Sequence, residues 1–360
     1  VALRRRGPSV DARKAGSVEA ALRRSLRAVV DADWPTAETW LERIVEADST
    51  DLDAYNALAH LYREQGAIGR AIRMHQNLLL RADLARAERE NATLELARDF
   101  DAGGFSDRAV ASYEEVLDAQ PRNREALGRL VTSLNTLREF PRGLSLIKRL
   151  RRLDRNAADA AELELLLSQA QSQLAEGDDD AARSTLKRCL RRYKTCGAAW
   201  AMLGQIEVER GKDAKALDAW RRGALADPEM AAALYPKIEA GFAARGKARE
   251  YEKFLNGILA DRPTDHAARI ALARTRVARG EAANAIEELS RAIEVAPDHA
   301  GLRVELGRLL LANGPEAEAL KAYAGLLDAL EAGGDEVDRA SAAPLLAQPG
   351  RGPKTEGAGE

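Results

Sequence analysis

The chain has 360 residues, of which 31% are charged, 46% hydrophobic and only 4% aromatic. So few aromatics argue against a β-sandwich or barrel, while the length suits two or three domains or one extended array. The 55 Lys and Arg nearly cancel the 57 Asp and Glu, leaving a net charge of −2, and without a basic excess a nucleic-acid partner is disfavoured.

Taken in chain order, residues 1–16 read as a basic, flexible N-terminus. Arg4, Arg5 and Arg6 are not followed by an apolar core, so this is not a signal peptide. No run approaches the ~18 apolar residues of a membrane span. Two cysteines cannot make a disulfide framework, which points to a reducing compartment and a cytoplasmic protein.

From residue 17 to 330 the sequence is periodic. One mostly alanine column runs Ala37, Ala71, Ala109, Gly143, Ala182, Ala216, Tyr251, Ala285, Ala319. Upstream of its last eight members lies a second, mostly small column: Ala59, Ala97, Val131, Ala170, Gly204, Glu239, Ala273, Gly307. Small side chains at both places let two helices approach closely. Between the columns a glycine recurs, as at Gly66, Gly104, Gly177 and Gly211, where a helix must end in a left-handed turn. One turn after the first column a large residue fills the gap: Leu41, Tyr113, Ile147, Leu186, Trp220, Leu255, Leu289, Tyr323. Prolines at Pro121, Pro228, Pro263 and Pro297 punctuate the second helix.

This pattern resembles the tetratricopeptide repeat, whose period is 34 residues. Trp200, Leu203, Gly204, Gly211, Ala216, Trp220 and Pro228 form its most complete copy. About nine copies predict an all-α fold, an α-solenoid superhelix in which stacked helix pairs share one core. The intervals Ala71 to Ala109 and Gly143 to Ala182 exceed the period by about one helical turn. A lengthened helix or wider loop is therefore expected over 80–90 and 151–161. Residues 331–360, rich in Gly, Pro, Ala and charge, read as a disordered tail.

The stretch RAIRMHQNLL from Arg70 to Leu79, followed by the long connection and LARDFDAGGFSDRA from Leu96 to Ala109, is similar to the lipopolysaccharide assembly protein B family. That resemblance covers about Asp53 to Leu327 and is strongest from Tyr55 to Leu117. It implies a non-catalytic adaptor that brings the deacetylase committing carbon to lipid A synthesis to a membrane AAA+ protease, limiting lipopolysaccharide output. It also implies residence at the cytosolic face of the inner membrane. Family members carry an N-terminal anchor helix and a rubredoxin-like metal domain with two CxxC pairs. These residues contain neither feature, although Arg4 to Arg6 are what would flank the cytoplasmic end of a preceding span; a plain basic start is the other reading.

An array of this kind lines its groove with the first helix of each repeat. There the donors His60, Arg98, Thr132, Gln171, Gln205, Arg274 and Arg308 form one column, with Asn56, Arg63 and Asn135 beside it, a surface suited to an extended peptide. Leu167, Leu174, Val208, Ile270, Val277, Val304 and Leu311 form an apolar strip that could bury a partner helix, or that superhelical curvature could cover. On the second helices Lys148, Arg149, Arg152, Lys187, Arg188, Arg191, Arg192, Arg221 and Arg222 line up as a basic ridge for an acidic protein or a peripheral anionic membrane. Cations near helix C-termini are also favoured by the macrodipole alone. No catalytic motif appears, and no cofactor, metal or small-molecule substrate is expected. His60, His75, His266 and His299 are expected to lie too far apart to converge on one metal, and Cys189 and Cys196 to be structural thiols. The alternative readings are a general tetratricopeptide scaffold for envelope or secretion machinery, or the targeting subunit of a multi-part enzyme.

Overall fold

A computed structural model describes residues 10–47, 51–313 and 317–324. They form an all-α chain that divides after Asp178 into two compact units, each an α-solenoid of stacked helix hairpins. The N-terminal unit holds α1 (Val10–Val30), α2 (Trp34–Ala47), α3 (Leu52–Glu64), α4 (Ile68–Leu79), α5 (Arg86–Ala102), α6 (Ser106–Ala119), α7 (Arg124–Thr136), α8 (Phe140–Leu153) and α9 (Arg155–Ala175). The C-terminal unit holds α10 (Asp179–Arg192), α11 (Gly197–Glu209), α12 (Asp213–Ala226), α13 (Pro228–Ala243), α14 (Ala248–Asp261), α15 (His266–Ala278), α16 (Ala282–Val295) and α17 (Ala300–Asn313), followed by helical residues 317–324. No helix among the described residues is long and apolar enough to cross a membrane. Helix α1 begins at Val10, inside the stretch expected to be flexible; residues 1–9 and the expected tail at 331–360 lie outside the described residues.

The periodic columns are the packing seams. Ala37, Ala71, Ala109, Ala182, Ala216, Tyr251, Ala285 and Ala319 are all buried, as is Gly143. Their first-helix counterparts Ala59, Ala97, Val131, Ala170 and Ala273 are equally buried. Where the first-helix member is Gly204, an added Cβ would stand 2.2 Å from Trp220 Nε1, so the missing methyl is the space the indole occupies. Gly307 makes the same room for the ring of Tyr323. The hairpin α13–α14 departs from the pattern. Tyr251 replaces alanine, its hydroxyl donating to the Tyr235 carbonyl at 3.2 Å, and Glu239 stays half exposed while Ile238 is buried beside it.

The two ends of each hairpin are built differently. Four first helices start from a side-chain cap: Asp51, Asn123, Asp154 and Asp265 each accept from the backbone N–H three residues on. The second helices α4, α6 and α12 have no side-chain cap, because they emerge directly from the turn that ends the first, whereas α2 is capped by Asp33, which accepts from the Thr36 N–H at 3.3 Å. That turn is closed by a backbone N–H reaching five residues back, as Ala67 to Tyr62 at 2.8 Å and Lys212 to Glu207 at 2.7 Å. It needs one residue with positive φ, which is Gly66 (φ 74) in α3–α4 but Arg138 (φ 59) in α7–α8. The two long intervals are filled as expected. A wider link precedes the 17-residue α5, and the second surplus is taken up by the 21-residue α9.

Candidate functional site

Three first helices of the N-terminal unit present a polar cleft of about 630 Å³ lined by His60, Arg63, Arg98, Asp101, Glu125 and Arg129 among others. Side chains separated by roughly one repeat meet here because stacking puts equivalent turns side by side. From α3, Arg63 donates to Asp99 Oδ1 at 2.6 Å and to Glu95 at 3.2 Å on α5, while its Nη2 also donates to His60 Nδ1 at 2.9 Å. From α5, Arg98 pairs with Glu95 and grips Glu125 of α7 through Nε at 2.8 Å and Nη2 at 2.5 Å. Arg129 closes the line back to Asp101 at 3.1 Å. The hydrogen bond from Arg98 is the main reason the Glu125 carboxyl lies below its usual range.

Beneath the cleft the line enters the core. Asp99 is 0% exposed, and its second oxygen accepts from His75 Nδ1 at 2.6 Å. His75, on α4, is 1% exposed, and its Nε2 has no hydrogen-bond partner among the described residues. It occupies the place filled elsewhere by leucine, tyrosine or tryptophan, one turn after Ala71. Arg63, Asp99 and His75 thus form a charged lock joining α3, α4 and α5 inside an otherwise apolar seam.

The expected donor column is in place but most of its cations are already engaged. Arg63 and Arg98 are held as above, and in the C-terminal unit Arg274 and Arg308 both bind Glu305, at 2.7 and 2.5 Å. Burial alone would raise the Glu305 carboxyl, but the two guanidinium groups outweigh it and hold it low. Thr132 donates to its own helix at Gly128, Asn135 to Glu164 and Ser168 of α9, and Gln205 to Glu209. Gln171 is exposed, and Asn56 is half-buried in a separate recess with Asn91. The arginines of this column are thus paired with carboxylates on their own or the neighbouring first helix.

The apolar strip is only partly open. Val208 and Leu311 are exposed, whereas Leu167, Leu174, Ile270, Val277 and Val304 are half-buried. Ile270 and Val277 pack against the core around Leu289, Leu302 and Leu306. The basic ridge falls in two pieces. Lys148 and Arg152 are exposed on α8, where Arg149 instead donates to the Pro121 carbonyl at 2.5 Å. Lys187, Arg188, Arg191 and Arg192 are exposed on α10. On α12, Arg222 lies 5.4 Å over Trp200 and pairs with Asp218, but Arg221 turns away, its guanidinium set between Phe242 and Phe254.

Sequence reasoning missed Glu95, Asp99, Glu125 and Glu305. Arg63 and Asp99 stand 36 residues apart and Arg98 and Glu125 stand 27, opposite charges on successive first helices but at no single spacing. Two histidines lie side by side. His266 and His299, each at the start of a first helix, have ring centroids 4.4 Å apart, and burial and then His299 lower the His266 imidazole. No cluster of three metal-ligating side chains exists among the described residues. Cys196 caps α11, its Sγ accepting from Ala199, and a hydrogen bond from Cys189 draws its thiol down to about 6.

Two family models match: tetratricopeptide repeat over residues 270–334, and the tetratricopeptide repeat protein 21 C-terminal ARM domain over residues 90–231. The chain therefore resembles tetratricopeptide-repeat proteins over these two stretches. It is similar to lipopolysaccharide assembly protein B of Escherichia coli K12, 26% identical over 212 residues, 59% of this chain and 54% of that one. The Haemophilus influenzae protein of the same name is 26% identical over 172 residues, 48% and 43% of the two chains. Human tetratricopeptide repeat protein 21B is 30% identical over 131 residues, 34% of this chain and 10% of that one. The chain spans about half the length of the curated bacterial relatives it matches. Among solved structures, a tetratricopeptide repeat protein from Parabacteroides merdae is 15% identical with a TM-score of 0.43, covering 72% of this chain and 99% of that one.

Proposed function

We propose that this chain is a non-catalytic adaptor of the lipopolysaccharide assembly protein B kind. It holds a lipid A pathway deacetylase on the polar cleft of α3, α5 and α7 and presents it to a membrane AAA+ protease, so limiting lipopolysaccharide output at the cytosolic face of the inner membrane. The repeats occupy 17–330 as the working part of the molecule. The observation that carries the reading is the 212-residue likeness to the Escherichia coli protein. The cleft supports it, because its charges sit on half-exposed side chains of rigid helices, the arrangement that favours specific docking over loose association. A partner competes for arginines that are already satisfied, so it must bring carboxylates placed as well as Glu125.

Affinity capture from a Gram-negative extract tests the proposal. The intact chain should recover the deacetylase and the protease, and Arg98→Glu with Arg129→Glu should reduce recovery of the deacetylase about tenfold or more. Both arginines reach solvent, so the fold should survive, with unchanged helicity by circular dichroism. Recovery of neither protein overturns the reading. Recovery of other envelope or secretion proteins would favour a general scaffold.

A further inference from the structure

Away from the polar cleft, the C-terminal unit has a recess of about 810 Å³ between α10 and α12, floored by α11. The spacing of the lining residues puts one face of each helix toward it: Arg183, Lys187, Arg191 and Lys194 from α10 and the link after it, Trp200, Leu203 and Glu207 from α11, Lys215, Asp218 and Arg222 from α12. Its charge is lopsided. Two cations are neutralised locally, Arg183 by Glu207 at 2.5 Å and Arg222 by Asp218 at 3.0 Å. Lys187, Arg191 and Lys194 are exposed and make no ion pair among the described residues. The floor is apolar: Leu190, Leu203 and Ala219 surround the half-buried Trp200, whose indole is fixed by donating to the Lys194 carbonyl at 2.9 Å. Glu207, which pairs with Arg183, is 3% exposed, so the recess presents cations and an apolar floor but no open carboxylate there.

We propose that this recess docks an acidic peptide segment of a partner protein. One large apolar side chain seats on Trp200 and Leu203, and flanking carboxylates meet Lys187, Arg191 and Lys194. Two unmet demands select the ligand class. Free cations require acidic groups, and an aromatic floor requires an apolar side chain. An anionic lipid headgroup answers only the first: phosphate brings acceptors alone, and a planar membrane leaves a floor of this depth unfilled. The recess volume falls within the range of sites that bury most of a small ligand. The proposal deepens the adaptor reading and rests on it, adding a second contact surface remote in sequence from the polar cleft.

The test is fluorescence anisotropy with a short fluorescein-labelled peptide carrying a central leucine flanked on both sides by Asp and Glu. Lys187→Glu with Lys194→Glu should weaken binding about tenfold or more, with Lys187→Gln and Lys194→Gln intermediate. Replacing the leucine of the probe by serine should cost about tenfold as well. Arg98→Glu with Arg129→Glu should leave this binding unchanged, which separates the recess from the cleft. Equal binding by the intact chain and the double-lysine variant overturns the proposal. So does tight, Lys187-dependent binding to phosphatidylglycerol vesicles that excludes the peptide, since the headgroup is then the ligand. If extract capture fails while the peptide still binds as described, the adaptor reading falls and the recess stands.

Discussion

The N-terminal and C-terminal units meet the same packing problem with opposite chemistry at the gap-filling position. In α3–α4 the position holds His75, and its polarity is answered by Asp99 and Arg63. In α11–α12 it holds Trp220, and its bulk is answered by Gly204. One backbone plan therefore tolerates either a buried ionic lock or an apolar wedge, provided the facing helix supplies the complement. Charge complementarity and shape complementarity are interchangeable at this seam, but they fail in different ways when broken.

The largest expected effect is on the ionic side. Asp99→Ala leaves Arg63 and His75 facing one another inside the fold, and should destabilise the N-terminal unit by about 3–5 kcal/mol in urea unfolding. Asp99→Ala together with Arg63→Met and His75→Leu should recover most of that loss, because an apolar filler is what the other seams use. If the triple variant is no more stable than the single one, the two solutions are not interchangeable. On the steric side, Gly204→Ala drives a methyl into the Trp220 ring and should cost about 1–3 kcal/mol; Trp220→Leu in the same chain should restore part of it. The thermal midpoints of the two variants check this pair.

A smaller effect sharpens the comparison of the turns. Arg138→Gly removes a side chain from a left-handed residue and should stabilise the chain by about 1 kcal/mol, whereas Gly211→Ala should destabilise it by a similar amount. The smallest effect is on pH dependence. Glu305 and Glu125 titrate below their unfolded range, so their contribution is complete above about pH 5, where both states are ionised, and is lost as pH falls through the folded value. Glu305→Gln should flatten the acid limb of the stability curve, and an unchanged limb would show that its two arginines do not matter to folding.

How much of this could be read from the residues follows from which interactions are periodic. The Ala71, Ala109 and Ala216 column and the turn at Gly66 repeat because every hairpin needs them, so spacing alone places them in the core. His75 breaks the list of large apolar fillers, and that exception, passed over in the sequence, is where the ionic lock sits. The charged contacts repeat less faithfully: Arg63 reaches Asp99, Arg98 reaches Glu125 and Arg274 reaches Glu305, at intervals of 36, 27 and 31 residues. A search at one fixed period cannot find them, since long side chains span a turn in either direction. Arg221 shows the converse. Its position matches the ridge, but two phenylalanines contributed by other helices decide where the guanidinium goes.

The fit of Trp220 against Gly204 has a consequence for how such arrays can change. Neither residue can be exchanged alone without leaving a void or a collision, so the two are inherited or engineered as a couplet across the bend of a single hairpin. A hairpin transplanted whole carries both halves of its own seam and needs matching only at its flanks, which makes the helix pair, rather than the helix, the natural unit for recombination.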